Sequence, residues 1–141
     1  MKEFKIYTCG GMSSLNWDSQ NAWRESAKEW LESRECDYRV KVINPCQYYN
    51  FNTIKHRTEK EVMNFDLNHV RTSDLVLVNF NDPKSIGSAI EIFVAYDNHI
   101  PVIGYCEDKS ANIHPWLLEY IDRMCEDMKS ALEYIEEFYL N

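Results

Sequence analysis

With 141 residues, 45% of them hydrophobic and 27% charged, the chain has material for one core and is too apolar for disorder. Its net charge of −8 argues against a nucleic-acid partner, because neutralising a phosphate backbone needs a basic face. No apolar run approaches the ~20 residues that span a bilayer, which excludes a membrane-spanning helix as the working part.

The chain begins in a strand-like pattern without the long apolar core of a secretion signal, so a cytoplasmic protein is expected. Phe4 to Thr8 reads as the first strand and Cys9-Gly10-Gly11 as a sharp turn. Trp23, Ala27, Trp30 and Leu31 recur at helical spacing within a helix expected from Ser19 to Glu35. Tyr38 to Ile43 is the second strand, closed by Asn44-Pro45. From Cys46 to Thr58 the chain is polar and aromatic without a period, the mark of a long functional or packing loop. A helix from Glu59 to Arg71 leads into Asp74-Leu75-Val76-Leu77-Val78-Asn79-Phe80, apolar on both faces as a buried parallel strand must be. After a turn at Asn81 to Lys84 come a helix from Ser88 to Asn98 and a strand from Pro101 to Tyr105. Two closing helices, Pro115 to Met124 and Ser130 to Tyr139, flank a short edge strand near Met124 and Cys125.

Strands alternating with helices predict a single α/β domain over residues 1–141. The expected architecture is a doubly wound, flavodoxin- or Rossmann-like parallel sheet of about five strands in three α/β/α layers. Ligands bind such sheets at the carboxyl ends of the strands, so the loops after Thr8, Phe80 and Tyr105 should meet at the site. Five cysteines, none in a CxxC pair, and four histidines show no metal-ligand spacing; free thiols and no metal are expected.

The segment Ser85-Ile86-Gly87-Ser88-Ala89-Ile90-Glu91 follows the central strand. Gly87 lets a ligand approach the backbone, and a helix N-terminus offers free N–H groups. On spacing alone, Ser88 and Glu91 also read as an S-x-x-E capping box, the commoner role for such a pair. Tyr7 closes the first strand near the same edge, and Asp66 sits on a helix whose Val62, Phe65 and Val70 are expected to define its buried face. Cys9 reads as a small buried residue.

Taken in order, these segments resemble the nucleoside 2-deoxyribosyltransferase family over nearly the whole chain. The similarity is carried by Ile6-Tyr7-Thr8-Cys9-Gly10-Gly11-Met12 with Trp23-Arg24, by Asp66 through Asp74, by Gly87-Ser88-Ala89-Ile90-Glu91-Ile92, and by Asn98 through Ile103. The resemblance implies Glu91 as nucleophile, Tyr7 as the hydroxyl that orients it, and Asp66 as a contact or proton donor to the nucleobase. It implies a small-molecule nucleoside or nucleotide as substrate, with Gly10, Ser85, Gly87, Ser88 and Arg24 near it. Asn112 resembles the asparagine that family members lend to a neighbouring subunit, which implies a homodimer or higher homo-oligomer. No metal or organic cofactor is implied. Where the transferases carry an aspartate six residues before the glutamate, this chain has Ser85, as do related 2'-deoxynucleoside 5'-phosphate N-hydrolases, where the serine serves phosphate binding. Deoxyribosyl transfer, hydrolysis of a deoxynucleoside monophosphate, non-catalytic nucleotide binding and a plain signalling or interaction domain of flavodoxin-like shape are therefore the four readings to separate.

Overall fold

The computed structural model describes residues 1–11, 16–48 and 57–141. Strands β1 (Lys2–Gly10), β2 (Tyr38–Ile43), β3 (Leu75–Asn79), β4 (Val102–Tyr105) and β5 (Arg123–Cys125) form one sheet in the order β2-β1-β3-β4-β5, with every pair parallel. The expected doubly wound α/β sheet is the fold observed. β3 lies at its centre because Leu75, Val76, Leu77 and Val78 need cover on both faces, and all four are fully buried.

Helices α1 (Trp17–Glu32), α2 (Glu59–Arg71), α3 (Ile86–Asp97), α4 (Pro115–Glu119) and α5 (Met128–Ile135) supply that cover. Alternation along each strand divides the core in two. Ile6, Leu75, Leu77 and Ile103 pack with Ala27 and Leu31 of α1 and Ile135 of α5. Tyr7, Cys9, Val76, Val78 and Val102 pack with Val70 of α2 and Ile92 and Ala95 of α3. Each valine, leucine or isoleucine side chain so buried contributes about 1.5–3 kcal/mol relative to exposure.

Local signals account for the element ends. Asn16 caps α1, accepting from the Ser19 N–H at 2.8 Å, and Thr58 with Glu61 forms a complete capping box on α2. The first expected closing helix is cut short: α4 stops at Glu119, because residues 123–125 are taken by the edge strand β5. The second begins at Met128 behind the Asp127 cap and ends in a π-helical turn, Glu136–Leu140. Among the described residues no helix is long and apolar enough to cross a membrane.

From β1 the chain turns to one side to make β2, then crosses back to make β3 on the other. The topological switch point lies between the carboxyl ends of β1 and β3, and there the sheet opens a cleft.

Candidate active site

Residues two apart on a strand face the same way, and on β1 this places Tyr7 and Cys9 together toward α3. Tyr7 Oη donates a hydrogen bond to Glu91 Oε2. Cys9 Sγ lies 3.5 Å from Glu91 Oε1 and 3.8 Å from the Ser88 carbonyl oxygen, either of which its thiol proton can reach. The nucleophile candidate is thus held on both oxygens by one face of one strand. Reading Cys9 as a small buried residue missed this contact, although the two-residue period of β1 contained the signal.

Glu91 reaches β1 because α3 starts earlier than its sequence suggests. Ser85, not Ser88, is the N-cap, and its hydroxyl accepts from the Ser88 N–H at 3.1 Å. Glu91 therefore sits in the second turn, beyond reach of the helix's free N–H groups, and the capping-box reading of Ser88 and Glu91 is corrected. Seating Ile92 and Ala95 on the sheet sets that rotation, which turns Glu91 toward Tyr7.

The environment is mostly apolar, and the charge pattern follows from it. Burial pushes the Glu91 carboxyl up to about 7, the negative charge of Asp66 adds to the rise, and the Tyr7 and Cys9 hydrogen bonds and Arg24 oppose it. Burial and the Glu91 charge hold the Tyr7 phenol and the Cys9 thiol well above their ordinary ranges, so both stay protonated donors. The cleft beside them measures about 680 Å³ and is walled by α2 through Lys60, Val62, Met63 and Asp66, and by α3 through Ser85, Ser88 and Glu91. A carboxylate with tuned basicity, a second carboxylate across an apolar gap and room for a nucleoside-sized molecule suit displacement at a carbon centre.

The family model for nucleoside 2-deoxyribosyltransferases matches residues 6–133. The chain belongs to that family. No curated protein sequence matches it. Its fold is similar to that of a conserved protein from Enterococcus faecalis, with 20% identity, coverage of 96% of this chain and 98% of the other, and a TM-score of 0.80. It is also similar to a 2-deoxyribosyltransferase of Bacillus psychrosaccharolyticus, with 17% identity, coverage of 92% and 91%, and a TM-score of 0.70. A CMP N-glycosidase of Clostridium botulinum shares the fold at 16% identity, with coverage of 95% and 98% and a TM-score of 0.62.

Of the residues assigned by resemblance to the deoxyribosyltransferase family, Tyr7, Gly10, Asp66, Ser85, Gly87, Ser88 and Glu91 gather at one cleft. Gly10 is required by packing: a Cβ there would stand 2.8 Å from Trp23 Cζ2. Gly87 is exposed, and a Cβ there would touch only Ser85 Oγ at 3.9 Å, so its smallness serves the mouth of the cleft rather than the fold.

Two family assignments fall outside this cleft. Arg24, which the resemblance puts near the substrate, is 1% exposed. Its guanidinium donates to the carbonyl oxygens of Gln20 at 2.9 Å, Gly10 at 3.0 Å and Thr8 at 3.4 Å. It therefore braces the carboxyl end of β1 from beneath, a role no spacing in the sequence reveals. Asn112 is exposed and lines a neighbouring hollow of about 590 Å³ with Lys84, Ile86 and Trp116. The loop after β4 joins that hollow, not the Glu91 cleft. Of the aromatic loop, Tyr48 stacks on His69 with centroids 5.8 Å apart, and residues 49–56 lie outside the described residues.

Proposed function

We propose that this chain cleaves the N-glycosidic bond of 2'-deoxynucleosides through a covalent glycosyl intermediate on Glu91 and passes the deoxyribosyl group to another nucleobase. The observation that carries the reading is the Tyr7–Glu91 hydrogen bond at the switch point, facing Asp66 across the cleft. Breaking the bond sends its electron pair to the base nitrogen and builds positive charge at the anomeric carbon. Ionised Glu91 stabilises that charge and closes an ester bond from the face opposite the base. Tyr7 fixes the carboxylate for that approach, and Asp66 hydrogen-bonds or protonates the departing base. A second base then attacks the same carbon and releases Glu91 as a carboxylate.

A second reading, hydrolysis of 2'-deoxynucleoside 5'-monophosphates, is favoured by Ser85. As the cap of α3 its own hydroxyl takes the Ser88 N–H, while the N–H groups of Ile86 and Gly87 have no partner within the 12-residue helix, a setting that suits a phosphate. Lys60 adds the one cation among the described residues lining the cleft.

The assembly we infer is a cytoplasmic homo-oligomer in which Asn112 completes a neighbouring copy's cleft. Support comes from Asn112 lying outside its own cleft, and from five free cysteines, which suit a reducing compartment. The deciding experiment incubates deoxynucleosides and their 5'-monophosphates with purified protein, with and without a second free base. A new nucleoside formed only with added base establishes transfer; free base with sugar or sugar phosphate establishes hydrolysis. Binding without turnover leaves a non-catalytic nucleotide-binding protein, and Glu91→Gln would then keep its affinity.

A further inference from the structure

Ser88 is the cleft residue that the proposed chemistry leaves without a task. It is 8% exposed, and its Oγ is buried without a hydrogen-bond partner although the residue lines the cleft. Serines inside helices commonly bond back to the preceding turn, and this one does not. A buried hydroxyl left unbonded is costly, so its presence in a ligand cleft points to a group that the ligand brings.

The geometry says which group. Ser88 lies three residues before Glu91 on α3, a spacing that sets side chains about 5–6 Å apart on one helix face, the scale of a furanose ring with its hydroxyls. In a β-nucleoside the base occupies one face of the ring and the 2'- and 3'-hydroxyls the other. A carboxylate displacing the base must come from the hydroxyl face. The neighbour one turn away on the carboxylate's own helix then meets that face as well.

We propose that Ser88 Oγ bonds a hydroxyl on this face of the pentose and makes the cleft selective for the sugar. The assignment rests on Glu91 acting on a nucleoside or nucleotide, as argued above. Ser88 is here a specificity residue, distinct from Ser85 at the helix cap.

The test uses Glu91→Gln protein, with and without Ser88→Ala, in calorimetric titrations. The ligands are 2'-deoxycytidine and 2'-deoxyadenosine, their ribo and 2',3'-dideoxy counterparts, and the 5'-monophosphates of all six. With Ser88 intact, removing the contacted hydroxyl should weaken binding about fivefold to tenfold, and Ser88→Ala should abolish that difference. Lost discrimination between deoxy and dideoxy ligands assigns the 3'-hydroxyl; lost discrimination between ribo and deoxy ligands assigns the 2'-hydroxyl. Equal weakening of every ligand, or no change for any, overturns the assignment. Ligand-free Ser88→Ala should melt no lower than its parent, since it removes an unbonded hydroxyl from a helix interior. A lower melting temperature would show that the hydroxyl is already bonded within the protein and overturn the proposal even if nucleosides bind. Failure of the whole panel to bind protein that retains Ser88 would overturn the nucleoside reading, and this assignment with it.

Discussion

Tyr7 and Cys9, two residues apart on one face of β1, each hold a different oxygen of the Glu91 carboxylate. The two contacts are unequal. A phenol is a strong donor and a thiol a weak one, so Oε2 is anchored while Oε1, at 3.5 Å from sulfur, keeps more of its electron density. An oriented carboxylate with one lightly held oxygen is what nucleophilic attack requires.

The tuned carboxyl sets a pH dependence. As the proposed nucleophile, Glu91 must be ionised to attack, and burial has raised it to about 7, so the rate should climb through neutrality and level off above about pH 8. Stability should move the other way. The folded state holds the Glu91 proton more tightly than the unfolded chain, whose carboxyl lies near 4.5. The favourable contribution is complete below about pH 4.5 and is lost as pH rises through about 7, a swing of ~3 kcal/mol. Glu91→Gln should therefore melt higher than wild type at about pH 8, with the gap closing toward about pH 5. Identical differences at both pH values would mean that Glu91 titrates normally. In the rate assay the same variant should lose about 10³-fold or more, and activity within tenfold of wild type would remove Glu91 as nucleophile.

Tyr7→Phe separates orientation from packing. The ring stays in the core and only the hydroxyl goes, which removes a hydrogen bond to a charged group worth about 1.5–3 kcal/mol. The expected loss is 10–100-fold in kcat. Because that bond also favours ionised Glu91, the acidic limb of the pH–rate profile should shift upward. A lower rate with an unmoved limb would assign Tyr7 to packing alone.

Much of this architecture was legible because its signals are local. The apolar run at Leu75 to Val78 announced a central parallel strand, and the glycine and serine segment before Glu91 announced a helix start that lines the cleft. What stayed hidden depends on partners distant in sequence. Both Ser85 and Ser88 can cap a helix, and only the seating of Ile92 and Ala95 on the sheet chooses between them. Arginine ordinarily belongs to the surface; nothing along the chain shows that carbonyl groups at the end of β1 would gather around Arg24. The Asp66–Glu91 juxtaposition across the cleft likewise exists only once α2 and α3 lie side by side.

Cys9 can be tested by opposing substitutions. Cys9→Ala deletes a donor to Glu91 and should raise its pKa, whereas Cys9→Ser supplies a stronger donor and should lower it. A ¹³C-labelled glutamate NMR titration, with the Glu91 signal identified by its disappearance in Glu91→Gln, reads this without any substrate. Shifts of the same sign in both variants would point to disturbed packing around a buried residue rather than to the hydrogen bond.

Arg24 offers the contrast between a brace and a ligand contact. Arg24→Met keeps a long apolar stem in the buried site but strips the carbonyls of Thr8 and Gly10 of the guanidinium, whereas the Gln20 carbonyl keeps its bond within α1. Each carbonyl left unbonded costs about 1–3 kcal/mol, partly offset because the buried guanidinium no longer has to be desolvated. Chemical denaturation should thus show a loss of ~2–4 kcal/mol. Below the unfolding transition β1 keeps its place between β2 and β3, so the KM for a 5'-monophosphate should stay within about twofold of wild type. A variant of wild-type stability whose KM rises tenfold or more for the monophosphate, and not for the nucleoside, would instead put the guanidinium on the phosphate. That result would require α1 to release Arg24 into the cleft when substrate binds.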